Sequence, residues 1–311
     1  MEDPVTAALS ALVPGGVTRG SAQAGGRLVR WIEAGSGQPA VLLAAGARDT
    51  CVTWAPVLPL ITGATRVIAY DRAGLGASDP DPALPTADRQ AADLAAVIAG
   101  SGAGPCIVAG HSWGGLLAQL LASRHPELVA GLVLVDPAEP GMLAGIPLPL
   151  RRLYGLAARN LPSLLLAAGL LGPLTRWQAR RTARHWRADP RTGRLLADAQ
   201  AASSRPGQVL AGRKESLGIA ASETLIQAAC AAAAFSGIPV VVLSAARGRP
   251  RALRTRWTGL QAGVAGAAQG RHAIVPGAGH AIHHDQPGVV AEAILEVVTE
   301  VRGDQNSLTS R

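Results

Sequence analysis

Short apolar runs and longer stretches with helical spacing alternate along most of this chain. Runs rich in Val, Ile, Leu and Ala that end at Gly, Pro or Asp predict buried strands. We predict strands at residues 27–33, 40–44, 66–70, 106–109, 132–135, 239–243 and 271–276. The helical spacing predicts helices at residues 86–99, 115–122, 222–235, 253–268 and 287–302. Because strands and helices alternate, we expect an α/β fold in which helices cover both faces of a mostly parallel, doubly wound sheet.

The alternation stops after the strand that is closed by Asp136. Residues 139–222 have helical spacing, many arginines and repeated prolines, and no strand is predicted among them. We therefore predict a helical lid at residues 137–222, inserted into a core formed by residues 1–136 and 223–303. The polar residues 304–311 are expected to form a flexible tail.

Composition and charge narrow the class of protein. With 311 residues, of which 48% are hydrophobic, the chain can bury one large core and is not expected to be disordered. The formal net charge is +8, and the predicted lid carries the excess, with twelve arginines and one lysine against four acidic residues. No nucleic-acid-binding motif accompanies this charge, so we expect no nucleic-acid partner.

The first residues and the cysteines favour a cytoplasmic location. The sequence opens with Met-Glu-Asp-Pro, without the basic and apolar segments of a secretory signal. The longest nearly apolar stretch, residues 161–174, is too short for a membrane span and is interrupted by Pro and Gly. The three cysteines are widely spaced, which predicts neither a disulfide framework nor a metal site. We expect no cofactor and no metal.

A serine pentapeptide, Gly110-His111-Ser112-Trp113-Gly114, lies between a predicted strand and a predicted helix. A sharp strand-to-helix turn strains the backbone and raises the serine hydroxyl above the sheet edge. The residues two before and two after the serine approach neighbouring backbone closely, which requires glycine there. The chain has 37 glycines, so the pattern takes its weight from the flanking strand and helix. We predict Ser112 as a nucleophile.

Several histidines could supply the base that a serine nucleophile needs. His280 follows the last predicted strand on a glycine-flanked loop, at the sheet edge where the serine turn also lies. His283 and His284 are close in sequence, but loop or helix-entry roles are favoured for them. His111 is expected to pack beside the serine or line the pocket. We predict His280 as the base.

Asp136 is the candidate acid that would hold the histidine tautomer and stabilise the imidazolium. It follows the strand after the serine helix, so it belongs to the same sheet edge as Ser112. Glu139 is the alternative acid, and a Ser–His pair without an acid, or an inactive protein, remains open. An Asp-Pro turn that only closes the strand is the structural alternative for Asp136.

Four segments of the chain form a combined pattern. They are residues 35–46, with Gly-Ser-Gly before a strand; residues 70–78, Tyr-Asp-Arg-Ala-Gly-Leu-Gly-Ala-Ser; the pentapeptide at 110–114; and Gly-Ala-Gly-His at 277–280, followed by Asp-Gln-Pro. In this order they resemble the α/β-hydrolase superfamily, in its group of single-domain esterase-like and haloperoxidase-like enzymes. The likeness covers nearly the whole chain except the predicted lid.

The resemblance implies an oxyanion hole. Its two donors would be the backbone N–H groups of Ala47 and Trp113. The chain departs from the family's pattern at two places, one beside this hole and one in the loop that usually carries the acid. The family often has His-Gly where this chain has Ala-Gly at residues 45–46. The family's usual acid loop corresponds to residues 244–250, which contain no Asp or Glu. Some members, such as certain haloalkane dehalogenases, carry the acid at the position of Asp136.

The predicted function is that of a serine hydrolase. It would cleave a carboxylic ester-type bond of a small to medium apolar substrate through an acyl-enzyme, with this small molecule as its partner. Lactone or C–C hydrolysis and cofactor-free haloperoxidase-like chemistry on the same triad are alternatives. A non-catalytic binding protein is a further one. Epoxide hydrolases and haloalkane dehalogenases use Asp at the elbow, so Ser112 argues against both.

The predicted lid contains apolar residues followed by a basic stretch. Residues 153–174 would supply apolar helix surface facing a pocket, and arginines recur at 176, 180, 184, 187 and 191 beside Trp177 and Trp186. A basic amphipathic helix that contacts an anionic membrane or a carboxylated substrate is one interpretation. A solvated lid face is favoured over it. The pattern does not fix the oligomeric state.

Overall fold

A computed structural model describes residues 3–142, 146–185, 190–202, 205–222, 224, 226–227 and 237–309. These residues include eight strands in one sheet, in the order β1-β2-β4-β3-β5-β6-β7-β8. The strands are β1 Thr18–Ala24, β2 Arg27–Ala34, β3 Val41–Ala44, β4 Val67–Asp71, β5 Cys106–His111, β6 Val129–Val135, β7 Val240–Ala245 and β8 Arg271–Val275. The mostly parallel sheet predicted from the sequence is confirmed.

The first two strands distinguish this sheet from a purely parallel one. β2 pairs antiparallel with β1 and with β4, whereas β3 to β8 pair in parallel. The β1–β2 hairpin turns through Gly25 and Gly26, which both have positive φ, as a tight hairpin turn requires. β1 is not among the predicted strands, because its residues are polar and mostly exposed.

Helices connect and flank the strands. They are α1 Pro4–Ser10, α2 Leu58–Ile61, α3 Ala87–Ser101, α4 Trp113–Arg124, α5 Leu148–Ala167, α6 Leu171–His185, α7 Pro190–Ala202, α8 Pro206–Ala221, α9 Arg251–Ala267, α10 Ile282–Asp285 and α11 Pro287–Thr309. Residues 304–309, predicted as a flexible tail, are therefore helical. Most of the predicted helix at 222–235 lies outside the described residues, as do Trp186 and Arg187.

Between β6 and β7, the described residues include the four helices α5 to α8. This is where we predicted a helical insertion, and the division into a core and a lid remains a prediction. Across the described ranges no single helix is long and apolar enough to cross a membrane. Among the same residues, α5 and the first part of α6 meet that criterion together, as a pair bent by 105°.

The strand side chains divide between two hydrophobic clusters, one on each face of the sheet. In β3, Val41 and Leu43 belong to one cluster and Leu42 to the other. The first cluster also contains residues of α1, α2 and α11, and the second contains residues of α3, α4 and α9. The central strands are buried on both faces, which explains why successive positions in them are apolar.

Two glycines allow α4 to approach the sheet closely. A Cβ on Gly114 would lie 2.2 Å from the carbonyl oxygen of Ala44, at the end of β3. A Cβ on Gly110 would lie 2.4 Å from the carbonyl oxygen of Gly114. Both positions therefore exclude any side chain, as the serine pentapeptide predicts.

We expect Gly114→Ala to lower the free energy of unfolding by about 2 kcal/mol or more, because α4 must move away from β3. The matched control is Gly263→Ala in α9, where an added Cβ meets no atom within 4 Å. The control should be neutral or slightly stabilising, since Ala is the better helix former. Urea unfolding of both variants measures the difference, and equal stabilities would contradict the close approach.

Candidate active site

Ser112 occupies the turn between β5 and α4. Its φ is +49° and its ψ is −114°, a conformation that residues other than glycine rarely adopt. Its N–H donates to the carbonyl of Val135 at 3.1 Å, and its own carbonyl accepts the N–H of Ala138 at 2.9 Å. The end of β6 and the residues after it therefore hold the strained turn in place.

His280 connects Ser112 to Asp136. Its Nε2 lies 3.0 Å from Ser112 Oγ, and its Nδ1 lies 2.6 Å from Asp136 Oδ2. A neutral imidazole with the proton on Nδ1 donates to the carboxylate and leaves Nε2 free to accept from the serine hydroxyl. The His280 side chain is 43% exposed and that of Asp136 only 1%, so the chain of contacts runs from the surface inward.

Asp136 directly follows β6, with a φ of +42°. Its Oδ1 accepts the N–H of Ala245 at 3.1 Å and the side-chain amide of Gln261 at 3.2 Å. Burial alone would raise the pKa of Asp136, but the hydrogen bond with His280 and the charge of Arg249 outweigh it. The pKa therefore lies below its usual value, and the group is a carboxylate at neutral pH.

Arg249 is a site residue that the sequence analysis missed. Its Nη2 lies 2.8 Å from Asp136 Oδ2 and 2.9 Å from His280 Nδ1. Its guanidinium stacks on the ring of Trp257, 3.6 Å from the ring centroid. Arg249 belongs to the loop at 244–250, where the family usually carries its acid. The available signal was the presence of two arginines, Arg247 and Arg249, in a loop that lacks a carboxylate.

Glu139, the alternative acid, has a different partner. Its Oε1 accepts the side-chain amide of Gln119 at 2.8 Å, and the carboxyl is buried. Burial raises the pKa of Glu139 to about 7, although the hydrogen bond from Gln119 opposes the shift. The structure thus brings Asp136, and not Glu139, to His280.

The other three histidines of the region form a series of ring contacts beside His280: His111 with His280, His283 with His111, and His284 with His283. Burial, together with the nearby His280, lowers the pKa of His111 to about 3, so His111 is neutral and its Nε2 donates to the carbonyl of His280 at 3.0 Å. His283 and His284 place their Nε2 atoms 2.9 and 3.0 Å from the hydroxyl of Thr53. These contacts match the packing and loop roles that the sequence favoured for them.

The two predicted oxyanion donors, the N–H groups of Trp113 and Ala47, belong to segments next to Ser112. Trp113 is the first residue of α4, whose N–H has no partner within a helix. Ala47 follows Gly46, and a Cβ on Gly46 would lie 3.5 Å from Ser112 Cβ. Within the described part of the chain, no hydrogen bond uses either N–H. The role of both groups as oxyanion donors stays a prediction.

Within the residues that the structure places, no group of three or more His, Cys, Asp and Glu side chains could hold a metal ion. Cys51 and Cys106 are buried, and burial raises the pKa of both thiols. Their packing positions agree with a role in the core.

A family comparison places the chain among known proteins. The sequence model of the alpha/beta hydrolase family matches residues 41–293. The chain belongs to this family. Over 109 residues this alpha/beta hydrolase is 31% identical to epoxide hydrolase 4 of Mus musculus, a match covering 34% of this chain and 30% of that protein. Over 72 residues it is 46% identical to lipase LipV of Mycobacterium tuberculosis, covering 23% and 27% respectively.

Solved structures extend the similarity of fold to nearly the whole chain. A thermophilic esterase from Thermogutta terrifontis superimposes with a TM-score of 0.64 at 21% identity, covering 91% of this chain and 99% of the esterase. The chain covers well under two thirds of either curated relative, and those relatives differ in activity. The comparisons therefore show an alpha/beta hydrolase with hydrolase relatives and leave the bond that it cleaves to be proposed.

We expect Glu139→Gln to change the pH dependence of stability. The pKa of Glu139 rises from 4.5 to about 7 on folding, so the folded state binds more protons between these values. The free energy of unfolding of the native sequence should therefore fall as the pH rises through this window, by about 1–3 kcal/mol, and stay lower above it.

Glutamine has no charge to bury and can still accept from Gln119. The variant should therefore lack this fall, as urea unfolding at about pH 5 and about pH 8 would measure. Parallel pH profiles for the two proteins would contradict the buried, proton-binding Glu139.

Proposed function

We propose that this protein is a serine hydrolase that cleaves a carboxylic ester-type bond of a small to medium apolar substrate. The observation that carries the proposal is the hydrogen-bonded series Ser112, His280 and Asp136, with distances of 3.0 and 2.6 Å. Nucleophile, base and acid follow in this order in the contacts, which is the arrangement that acyl transfer by serine needs.

In the acylation step, Ser112 Oγ forms a bond to the substrate carbonyl carbon and its proton passes to His280 Nε2. The carbonyl electron pair moves to the oxygen, and the N–H groups of Ala47 and Trp113 would stabilise the resulting oxyanion. The carbon–oxygen bond to the alcohol then breaks, and His280 returns the proton to the departing alkoxide. An acyl-enzyme on Ser112 and a free alcohol remain.

In the deacylation step, water takes the place of the alcohol. His280 Nε2 removes a proton from the water as its oxygen attacks the acyl carbon. The same two N–H groups hold the second oxyanion, and the proton returns to Ser112 Oγ when the acid leaves. No metal or cofactor enters either step.

Asp136 would act on His280 in both steps. A carboxylate with a lowered pKa accepts a hydrogen bond from the Nδ1–H throughout the cycle and stabilises the imidazolium that forms when Nε2 is protonated, without taking the proton itself. Lactone or C–C hydrolysis and haloperoxidase-like chemistry would use the same three side chains. A cytoplasmic location would suit a small-molecule substrate.

We expect Ser112→Ala to lower the hydrolysis of p-nitrophenyl acetate or butyrate by roughly 10⁴-fold, because the nucleophile is gone. Asp136→Asn should lower kcat roughly 10²- to 10⁴-fold, since Asn cannot hold the required tautomer. The matched control is Glu139→Gln, a buried acid three residues away, which should keep nearly full activity. A fluorophosphonate probe should label the native protein and the control, but not Ser112→Ala.

Each alternative predicts a different result. If the folded native protein takes up no fluorophosphonate label, the chain is a binding protein and the proposal fails. If Asp136→Asn keeps full activity while Glu139→Gln loses it, the acid is Glu139. If the probe labels Ser112 but the protein turns over lactones or β-diketones and not esters, Ser112 is the nucleophile and the bond cleaved is that of the lactone or the β-diketone.

A further inference from the structure

The exposed face of α5 carries an unpartnered row of leucines. Leu150, Leu153, Leu156, Leu161 and Leu164 are 49–65% exposed, and their spacing places them on one side of the helix. The apolar spacing of residues 153–174 predicts a surface that faces a pocket. The structure directs it to solvent instead, and we call these five residues the leucine face.

The chain beyond α5 continues the apolar exposure. Leu170 lies between α5 and α6, and Leu174 and Trp177 lie on α6; all three are at least 40% exposed. The guanidinium of Arg181 stands 5.6 Å from the centre of the Trp177 ring. An exposed indole beside a cation is the pair of groups that settles at the boundary between lipid headgroups and acyl chains.

The charge of this segment has one sign. Residues 140–188 contain eight arginines and no Asp, Glu or Lys. Among them, Arg152, Arg180, Arg181 and Arg184 are exposed on α5 and α6. A surface that combines exposed leucines with unbalanced positive charge matches a bilayer that carries anionic headgroups.

We propose that α5 and α6 bind the surface of an anionic lipid bilayer, with the leucine face in the acyl-chain boundary and the arginines on lipid phosphates. A second copy of this chain fits poorly, because dimerisation would bring two segments of the same positive charge together. A nucleic acid would contact the arginines but leave the leucines in water. The proposal does not depend on the hydrolase activity.

Co-sedimentation with lipid vesicles tests the proposal. The protein should bind vesicles of phosphatidylcholine and phosphatidylglycerol at least about tenfold more tightly than vesicles of phosphatidylcholine alone, and added salt should weaken the binding. The double variant Leu161→Ser/Leu164→Ser should lower binding to the mixed vesicles at least about tenfold. Arg180→Gln/Arg184→Gln should remove the preference for anionic lipid.

Leu210→Ser is the matched control, because Leu210 on α8 is as exposed as Leu164, at 65%. It should bind like the native protein. Absence of binding to the mixed vesicles overturns the proposal, as does an equal loss in the Leu210 control. Lipid-free self-association that the leucine-face variant abolishes would assign the surface to a second copy instead.

A second and independent observation is a buried ion pair between Glu215 on α8 and Arg72, which directly follows β4. Arg72 Nε lies 2.6 Å from Glu215 Oε1, and both side chains are buried. Arg72 also donates to the carbonyls of Ala45 and Gly46, at 2.6 and 2.5 Å. The other carboxylate oxygen of Glu215 accepts the N–H of Arg48 at 2.5 Å.

These contacts fix the peptide unit that carries the Ala47 N–H. The Gly46 carbonyl and the Ala47 N–H belong to one planar peptide group and point in opposite directions. Because Arg72 holds the Gly46 oxygen on one side, the Ala47 N–H is aimed to the other. On the far side of Ala47, Glu215 holds the N–H of Arg48, whose φ is +63°. Residue 47 is therefore clamped at both ends.

We infer that Glu215 is a positioning residue for the oxyanion donor at Ala47, an inference that rests on the proposed function. α8 is well anchored for this role: Lys214 donates to the carbonyl of Asp81 at 2.6 Å, and Ser222, directly after α8, accepts the N–H of Ala87 at 2.8 Å. The Glu215 carboxylate thus links this anchored helix to the loop at residues 45–48.

Glu215→Gln should lower kcat for ester hydrolysis about 10- to 100-fold with KM changed less than about threefold, because the oxyanion forms only after the substrate binds. A trifluoromethyl ketone adds to Ser112 Oγ and forms a tetrahedral hemiketal oxyanion. Its affinity for Glu215→Gln should fall by a similar factor. Glu215→Asp should recover part of the loss. The matched control is Glu139→Gln, which changes another buried acid. It should leave kcat and the affinity for the ketone unchanged.

The outcomes separate this inference from the proposed function. Unchanged kcat in Glu215→Gln, with Ser112→Ala inactive, overturns the positioning role alone. The positioning role is also overturned if kcat is unchanged and KM rises by the same factor by which kcat/KM falls. The whole effect would then lie in substrate binding. If Glu215→Gln does not fold, Glu215→Asp carries the same comparison. Activity retained in Ser112→Ala overturns the proposed function itself.

Discussion

The close approach of α4 to the ends of β3 and β5 sets the geometry of the whole site. Gly110 and Gly114 permit it, and the strained Ser112 results from it. From that turn, backbone hydrogen bonds link successive strand ends: Ser112 to Val135, Asp136 to Leu243, and Arg247 to Ala278, two residues before His280. The three side chains meet because adjacent parallel strands end at one edge.

Local environment decides how two nearby carboxyl groups behave. Asp136 and Glu139 are three residues apart and both buried. Asp136 has a cation and several donors around it, whereas Glu139 has one amide, so burial dominates and its pKa rises to about 7. Hydrogen-bond donors and charge, more than depth, determine which of the two remains a carboxylate.

The sequence was sufficient for the sheet and for the group of side chains at its edge. Apolar runs predicted seven strands, and strand order along the chain predicted that Ser112, Asp136 and His280 share an edge. β1 was missed because its polar residues give no apolar run. The contact of Arg249 with Asp136 and the outward direction of the leucines on α5 depend on tertiary packing, which no local pattern encodes. The catalytic roles and the oxyanion donors stay predictions.

The pairing of Asp136 with Arg249 also has a consequence for how related sequences can vary. In the family's usual arrangement the acid stands in the loop that here carries Arg249, and β6 need not end in a carboxylate. Exchanging either residue alone would leave one charge buried without its partner, at a cost of about 3–5 kcal/mol. The two positions are therefore expected to covary. A related sequence that carries the acid in the loop at 244–250 should differ from this chain at both positions together.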